Sequence, residues 1–171
     1  MKKIVLLTLI AGLITGLNAS AQQDKSKRSS PPAKVSQTIS SGATITIDYS
    51  QPSVKGRTIG KEIAPYGEVW RTGANEATVF ETSKNLTIEG KTLAAGKYSL
   101  YTIPGKDKWT IIFNKTWDQW GTVYKESEDA LRVDVKPVKA ASAMEKMTFK
   151  IAKEGKISLI WGSFQANLLV K

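Results

Sequence analysis

The sequence predicts an all-β protein: a single antiparallel β-sandwich, jelly-roll-like, of about nine strands. Short runs of alternating apolar and polar residues recur at near-regular spacing, as from Ala43 to Tyr49, where Ile45, Ile47 and Tyr49 share one face and Thr44, Thr46 and Asp48 the other. Turn residues separate these runs, among them Ser41-Gly42, Glu89-Gly90 and Glu154-Gly155. No strand-helix-strand alternation appears, which argues against a doubly wound sheet. The chain has no cysteine, so the Cys, Trp, Cys spacing of immunoglobulin domains is missing and a jelly-roll-like arrangement is preferred.

In chain order, Met1, Lys2 and Lys3 precede an apolar run from Ile4 to Leu17 and a small-residue exit at Ala19-Ser20-Ala21. A basic start, a short apolar segment and small residues at the exit predict a signal peptide over residues 1–21, too short for a membrane span. Export to the periplasm or beyond follows as an expectation. Residues 22–34, polar and proline-bearing, read as a flexible leader. Residues 35–171 then form one domain, of a size that buries about 68 to 70% of its unfolded surface.

Val35 to Ser40 reads as an edge strand and Ala43 to Tyr49 as a half-buried one, stopped by Pro52, which cannot donate to a ladder. β character resumes at Ala77 to Thr82. Leu86 to Ile88 and Lys91 to Leu93 flank a tight turn, and strands at Tyr98 to Ile103 and Trp109 to Asn114 suggest a meander. Leu131, Val133 and Val135 alternate with Arg132, Asp134 and Lys136 before Pro137. Ala140 to Lys146 is the one stretch with helix propensity, enough for a turn or two. A hairpin closes the chain, with Met147, Phe149 and Ile151 facing Ile157, Leu159 and Trp161, followed by a last strand from Phe164 to Val170.

Composition narrows the chemistry. With no histidine and no cysteine, nucleophile systems built on His, the usual zinc sites, haem ligation and iron-sulfur clusters are excluded, and no cofactor or metal is expected. The formal charge of +10 falls to +8 when Lys2 and Lys3 are removed. Its lysines are scattered and no nucleic-acid module signature appears, so a nucleic-acid partner is not expected. A small-molecule or glycan ligand, or a protein partner, remains open.

Two irregular segments hold the candidate functional residues. In the long loop from Gln51 to Thr78, Arg57, Trp70, Arg71, Asn75 and Glu76 are read as a ligand site in which guanidinium groups hold an anion or sugar hydroxyls and Trp70 stacks on the ligand. The structural alternative is that Arg71 pairs with Glu76 and Asn75 caps a turn. In the second segment, Trp117, Trp120 and Tyr124 are either a stacking platform or a satellite core. A glycan hydrolase would need two facing carboxyls, for which Glu68 and Glu76 are the loop's pair, with Asp118 as a further candidate. Glu126, Glu128 and Asp129 form an acidic run without the spacing of a calcium loop. The preferred expectation is a non-enzymatic binding domain, with hydrolysis or docking of a protein in the envelope as alternatives.

At VKGR (Val54 to Arg57), PYG (Pro65 to Gly67), WRTGANEAT (Trp70 to Thr78), AGKYSLYTIP (Ala95 to Pro104) and WTIIFN (Trp109 to Asn114), the chain resembles the secreted bacterial proteins classified only as domain of unknown function 2911. The likeness runs from about Pro31 to Val138. It implies a secreted all-β domain and no particular reaction. Gln51 stands where that family often has an arginine, and Gly60 where an aromatic is common.

Overall fold

The computed structural model describes residues 24–171. The signal-peptide expectation for residues 1–21 lies outside them. Ten strands form: β1 (Pro32–Thr38), β2 (Thr44–Ser50), β3 (Thr78–Thr82), β4 (Leu86–Ile88), β5 (Lys91–Leu93), β6 (Gly96–Ile103), β7 (Trp109–Asn114), β8 (Asp129–Val135), β9 (Pro137–Ile151) and β10 (Lys156–Leu169). Six of them make an antiparallel sheet in the order β1-β2-β3-β6-β7-β8, while β9 and β10 form a separate ribbon and β4 and β5 a small hairpin. Strands adjacent in sequence are adjacent in the sheet, except that the β4-β5 hairpin interrupts the run. Among the described residues no helix is long and apolar enough to cross a membrane.

The alternation read from the sequence becomes the core. Ile45, Ile47, Phe80, Leu100, Ile111, Phe113 and Val133 from the large sheet are buried in one cluster with Met147, Phe149, Leu159, Trp161 and Leu168 from the ribbon. Each such side chain removed from water contributes about 1.5 to 3 kcal/mol before conformational entropy is subtracted. Aromatic edges join the layers: Tyr49 meets Phe149 at 4.9 Å between ring centroids, and the Tyr49 hydroxyl accepts the Phe149 amide.

Two boundaries differ from the sequence reading. Ala140 to Lys146, expected as a helical turn, lies inside β9, where Met144 pairs with Gly162 and Lys139 with Phe164. Helix propensity is worth only tenths of a kcal/mol per residue, and pairing with β10 overrides it. Phe164 to Val170 is not a separate strand but the second half of β10, continued through a register shift around Gly162. That shift explains why the positions in the core cluster change parity, from 157, 159 and 161 to 166 and 168: an extra residue at a bulge turns the following side chains to the other face.

Part of the expected leader is also structured. Residues 25–27 form a 3-10 turn capped by Asp24, and β1 begins at Pro32. The long loop between β2 and β3 is tied down along its length. Val54 donates to Glu145 O, Gly67 to Pro104 O, and Trp70 exchanges backbone hydrogen bonds with Thr102. Its last residues pair with the second irregular segment, Ala77 donating to Gln119 O and Gly121 to Asn75 O. The start of the long loop thus runs along the ribbon, and its end joins the second irregular segment beside Tyr101 of the large sheet.

Candidate functional site

The Trp70–Thr102 bridge places Trp70 and Arg71 as successive residues of an extended segment, so their side chains leave on opposite sides. Trp70 turns toward the ribbon, where its ring stacks on Trp161 at 5.1 Å with 9° between planes. Arg71 turns to the outer face. There it lines a pocket of about 200 Å³ with Val69, Trp70, Tyr101, Gly121, Thr122 and Tyr124.

The residue after Arg71 is strained. Thr72 has φ of +51° and is fully buried, its hydroxyl donating to Trp70 O and Thr102 Oγ1, while its carbonyl accepts from the Thr78 hydroxyl. A β-branched residue in the left-handed region costs roughly 1 to 3 kcal/mol and persists only where its surroundings over-determine it. The turn it enforces ends the extended segment directly behind Arg71. On the other side, Gly121 makes room for the arginine stem: a Cβ there would run into Arg71 Cδ and would sit 2.8 Å from Asn75 O and 3.1 Å from Arg71 Cβ.

Arg71 forms no ion pair with a carboxylate among the described residues, and its Nε is buried without a hydrogen-bond partner. The expected alternative, pairing of Arg71 with Glu76, is replaced by a different pair. Glu76 binds Arg28 at 2.8 Å and Lys25 at 3.1 Å. Burial works against its ionisation, but the Arg28 hydrogen bonds, its own backbone and Lys25 outweigh that and hold the carboxyl at about 2. A carboxyl so acidic is unsuited to the general-acid role of a glycan hydrolase, which requires a raised value.

The other expected residues separate. Arg57 is exposed and turns back on its own loop, donating to Val54 O and Ser53 O. Asn75, at φ of +60°, donates to Ser30 O and Ser50 Oγ. Of the five residues expected in the long loop, only Trp70 and Arg71 line the pocket. The second group divides too: Trp117 and Trp120 are 38% and 50% exposed, Trp117 beneath the Lys97 ammonium at 4.8 Å, whereas Tyr124 packs on Tyr101 at 4.9 Å.

The two tyrosines are fixed from behind. The Tyr101 hydroxyl donates to Val123 O and accepts from Gln119 Nε2. The Tyr124 hydroxyl donates to Asp129 Oδ2 at 2.8 Å and accepts from Arg132 Nη2 at 2.7 Å; Asp129 also accepts from Arg132 Nε and Asn114 Nδ2. Burial and the Asp129 carboxylate push the Tyr124 phenol up to about 12. Burial likewise raises Tyr101, against the opposing charge of Arg71. With Asp129 occupied by these donors and Glu126 by Arg132, the acidic run is an anchor for β8. Among the described residues no group of three or more His, Cys, Asp or Glu is placed to hold a metal ion.

Val69, Tyr101, Gly121 and Thr122 were absent from the residues expected at the site. Tyr101 carries no local signal: polar and apolar residues mix in Tyr98 to Thr102, and it is the structure that shows this run buried on both faces.

The family described as "Protein of unknown function (DUF2911)" matches residues 30–170, and the chain belongs to that family. No curated protein matches the chain. No solved structure matches it either.

Proposed function

We propose that this domain is a non-enzymatic binding module, exported under the direction of residues 1–21, whose ligand presents an anionic group to Arg71. One observation carries the reading: a guanidinium without a carboxylate partner lines a pocket of about 200 Å³, beside a strained Thr72 and a close-packed Gly121 that fix its stem. An unpaired buried donor costs about 1 to 3 kcal/mol, which an anion in the pocket offsets. Two carboxylates of these segments are engaged elsewhere, Glu76 by Arg28 and Asp129 by Arg132, while Glu68 is exposed and forms no ion pair with Arg71. No pair of carboxyls faces into the pocket, which favours binding over hydrolysis.

The test is thermal unfolding of residues 22–171 in acetate, phosphate, sulfate and glucuronate, beside Arg71→Gln. A ligand at a hundred times its dissociation constant adds about 2.7 kcal/mol to the native state, a shift of several degrees. We expect at least one anion to raise the midpoint of the parent and to leave a folded Arg71→Gln unmoved. Equal shifts in both proteins, or none in the parent, overturn the reading.

A further inference from the structure

The geometry points to a carboxylate carried on a compact apolar body as the ligand of the Arg71 pocket, in preference to an acidic sugar; this rests on the binding reading above. The argument is an account of the hydroxyls. An acidic sugar brings several hydroxyls into the site, and each one removed from water needs a donor or acceptor there. Apart from the guanidinium, the side chains of the pocket offer almost none. Tyr101 and Tyr124 contribute two phenols, but both are turned to the protein: Tyr101 donates to Val123 O and accepts from Gln119, and Tyr124 donates to Asp129 and accepts from Arg132. Their pKa elevation agrees with that arrangement, since burial of each phenol is its first cause. What the two residues show the ligand is therefore ring surface. Thr122, at the exposed mouth, supplies the one lining hydroxyl with no protein partner among the described residues.

The remaining lining is apolar or cationic: Val69, Trp70, the Gly121 backbone and Arg71. Val69, 41% exposed, lies at the mouth, and Val123 (48%) and Trp120 (50%) are exposed close by in sequence to Gly121 and Thr122. An apolar cavity of about 150 Å³ accepts a benzene ring, so about 200 Å³ holds one ring or a branched aliphatic group with its acid. The acid meets the guanidinium fork and the body meets the tyrosine faces and Val69. Two sources supply such chemistry, a free aryl or alkyl carboxylic acid and the C-terminal residue of a peptide ending in an apolar side chain.

Isothermal titration of residues 22–171 with 3-phenylpropionate, N-acetyl-phenylalanine, acetate, phosphate and glucuronate separates the possibilities. We expect 3-phenylpropionate or N-acetyl-phenylalanine to bind at least about tenfold more tightly than glucuronate, acetate or phosphate, the discrimination expected when a site lacks partners for polar groups. The advantage should vanish in Arg71→Gln. Because that variant removes a half-buried side chain and its folding is itself at risk, Val69→Ser at the exposed mouth is the second probe: it should weaken 3-phenylpropionate and leave acetate unchanged. A pentapeptide ending in phenylalanine, compared with its C-terminal amide, identifies the source: tighter binding than the free acids, lost on amidation, assigns a chain terminus, and weaker binding assigns a free acid. Glucuronate or phosphate binding more tightly through Arg71 overturns this inference and leaves the binding reading standing. No binding by any of these compounds, or binding unchanged in a folded Arg71→Gln, overturns both.

Discussion

Arg28 donates through a single Nη1 to both carboxylate oxygens of Glu76, at 2.9 and 2.8 Å, across 48 residues of sequence. Lys25 adds a second cation at 3.1 Å. The segment preceding β1 is thereby fastened to the end of the WRTGANEAT loop, and the carboxylate that follows Arg71 in that loop is already engaged. The free guanidinium of the pocket follows from a pairing made by residues that lie outside the loop.

That pairing makes stability depend on acid. The folded Glu76 titrates at about 2 against an unfolded value of 4.5, so its contribution is present above pH 4.5 and is lost as pH falls from 4.5 through about 2. Glu76→Gln should flatten this limb of a plot of urea midpoint against pH. At neutral pH it should lose no more than about 1 kcal/mol, because the pair is partly exposed to solvent. Trypsin should also cut after Lys25, Lys27 or Arg28 sooner in the variant. An acid limb identical in both proteins would assign the dependence to other carboxylates.

Gly121→Ala tests how the arginine is held. The new Cβ would meet the Arg71 stem and the Asn75 carbonyl oxygen, which also accepts the Gly121 amide. Such overpacking costs typically about 1 to 3 kcal/mol, and the arginine has to leave its position against the backbone. We expect a lower urea midpoint together with loss of anion binding. A variant as stable as the parent that still binds would mean that the stem has another path.

Much of the fold was legible because burial alternates. β2 declares its faces residue by residue, whereas the change of parity between Trp161 and Ala166, which reads from the sequence as a break between two strands, is the bulge at Gly162 within one. The site was less legible for a physical reason. Arg71 and Trp70 could be singled out as a charge and a large aromatic in an irregular loop, yet their neighbours Tyr101 and Gly121 come from segments about 30 and 50 residues away, joined by backbone pairing of Trp70 with Thr102 and of Asn75 with Gly121. Spacing along the chain carries no trace of such pairings. Likewise nothing local marks Arg28 as the partner of Glu76, since charge complementarity is satisfied equally well by Arg71 until the turn at Thr72 directs that side chain elsewhere.

The Tyr124 phenol offers a spectroscopic check on the wall behind the pocket. Burial first, and then the Asp129 carboxylate, move it from 10.0 up to about 12. A raised folded value means that the contribution is complete below pH 10 and is lost as pH rises through about 12. In an ultraviolet titration one tyrosine of the parent should ionise near pH 12, and Asp129→Asn should bring that step closer to 10. The same variant leaves Arg132 without its 2.7 Å partner, and about 1 to 3 kcal/mol of stability should go with it. A Tyr124→Phe protein whose alkaline titration still shows the late step would reassign it to another tyrosine.

Two glycines with similar backbone angles separate strain from steric exclusion. Gly90, in the β4-β5 turn, has φ of +82° and nothing within 4 Å of an added Cβ, whereas Gly155, with φ of +95°, would place that atom against the carbonyl oxygen of Val170. Gly155 also accepts the Val170 amide and donates to Ala152 O, so the turn between β9 and β10 helps β4, which pairs Thr87 with Lys171, to hold the end of the chain. Gly90→Ala should therefore cost only the left-handed backbone term, about 1 kcal/mol. Gly155→Ala adds overpacking to the same term and should cost about 3 kcal/mol. It should also release Val170, which is 1% exposed and bridges to Ile88. Urea midpoints at unchanged m-value measure both costs, and amide hydrogen exchange at Val170 and Lys171 reports the release. Equal losses for the two variants would show that backbone conformation alone decides these positions and that the chain end gives way at no cost.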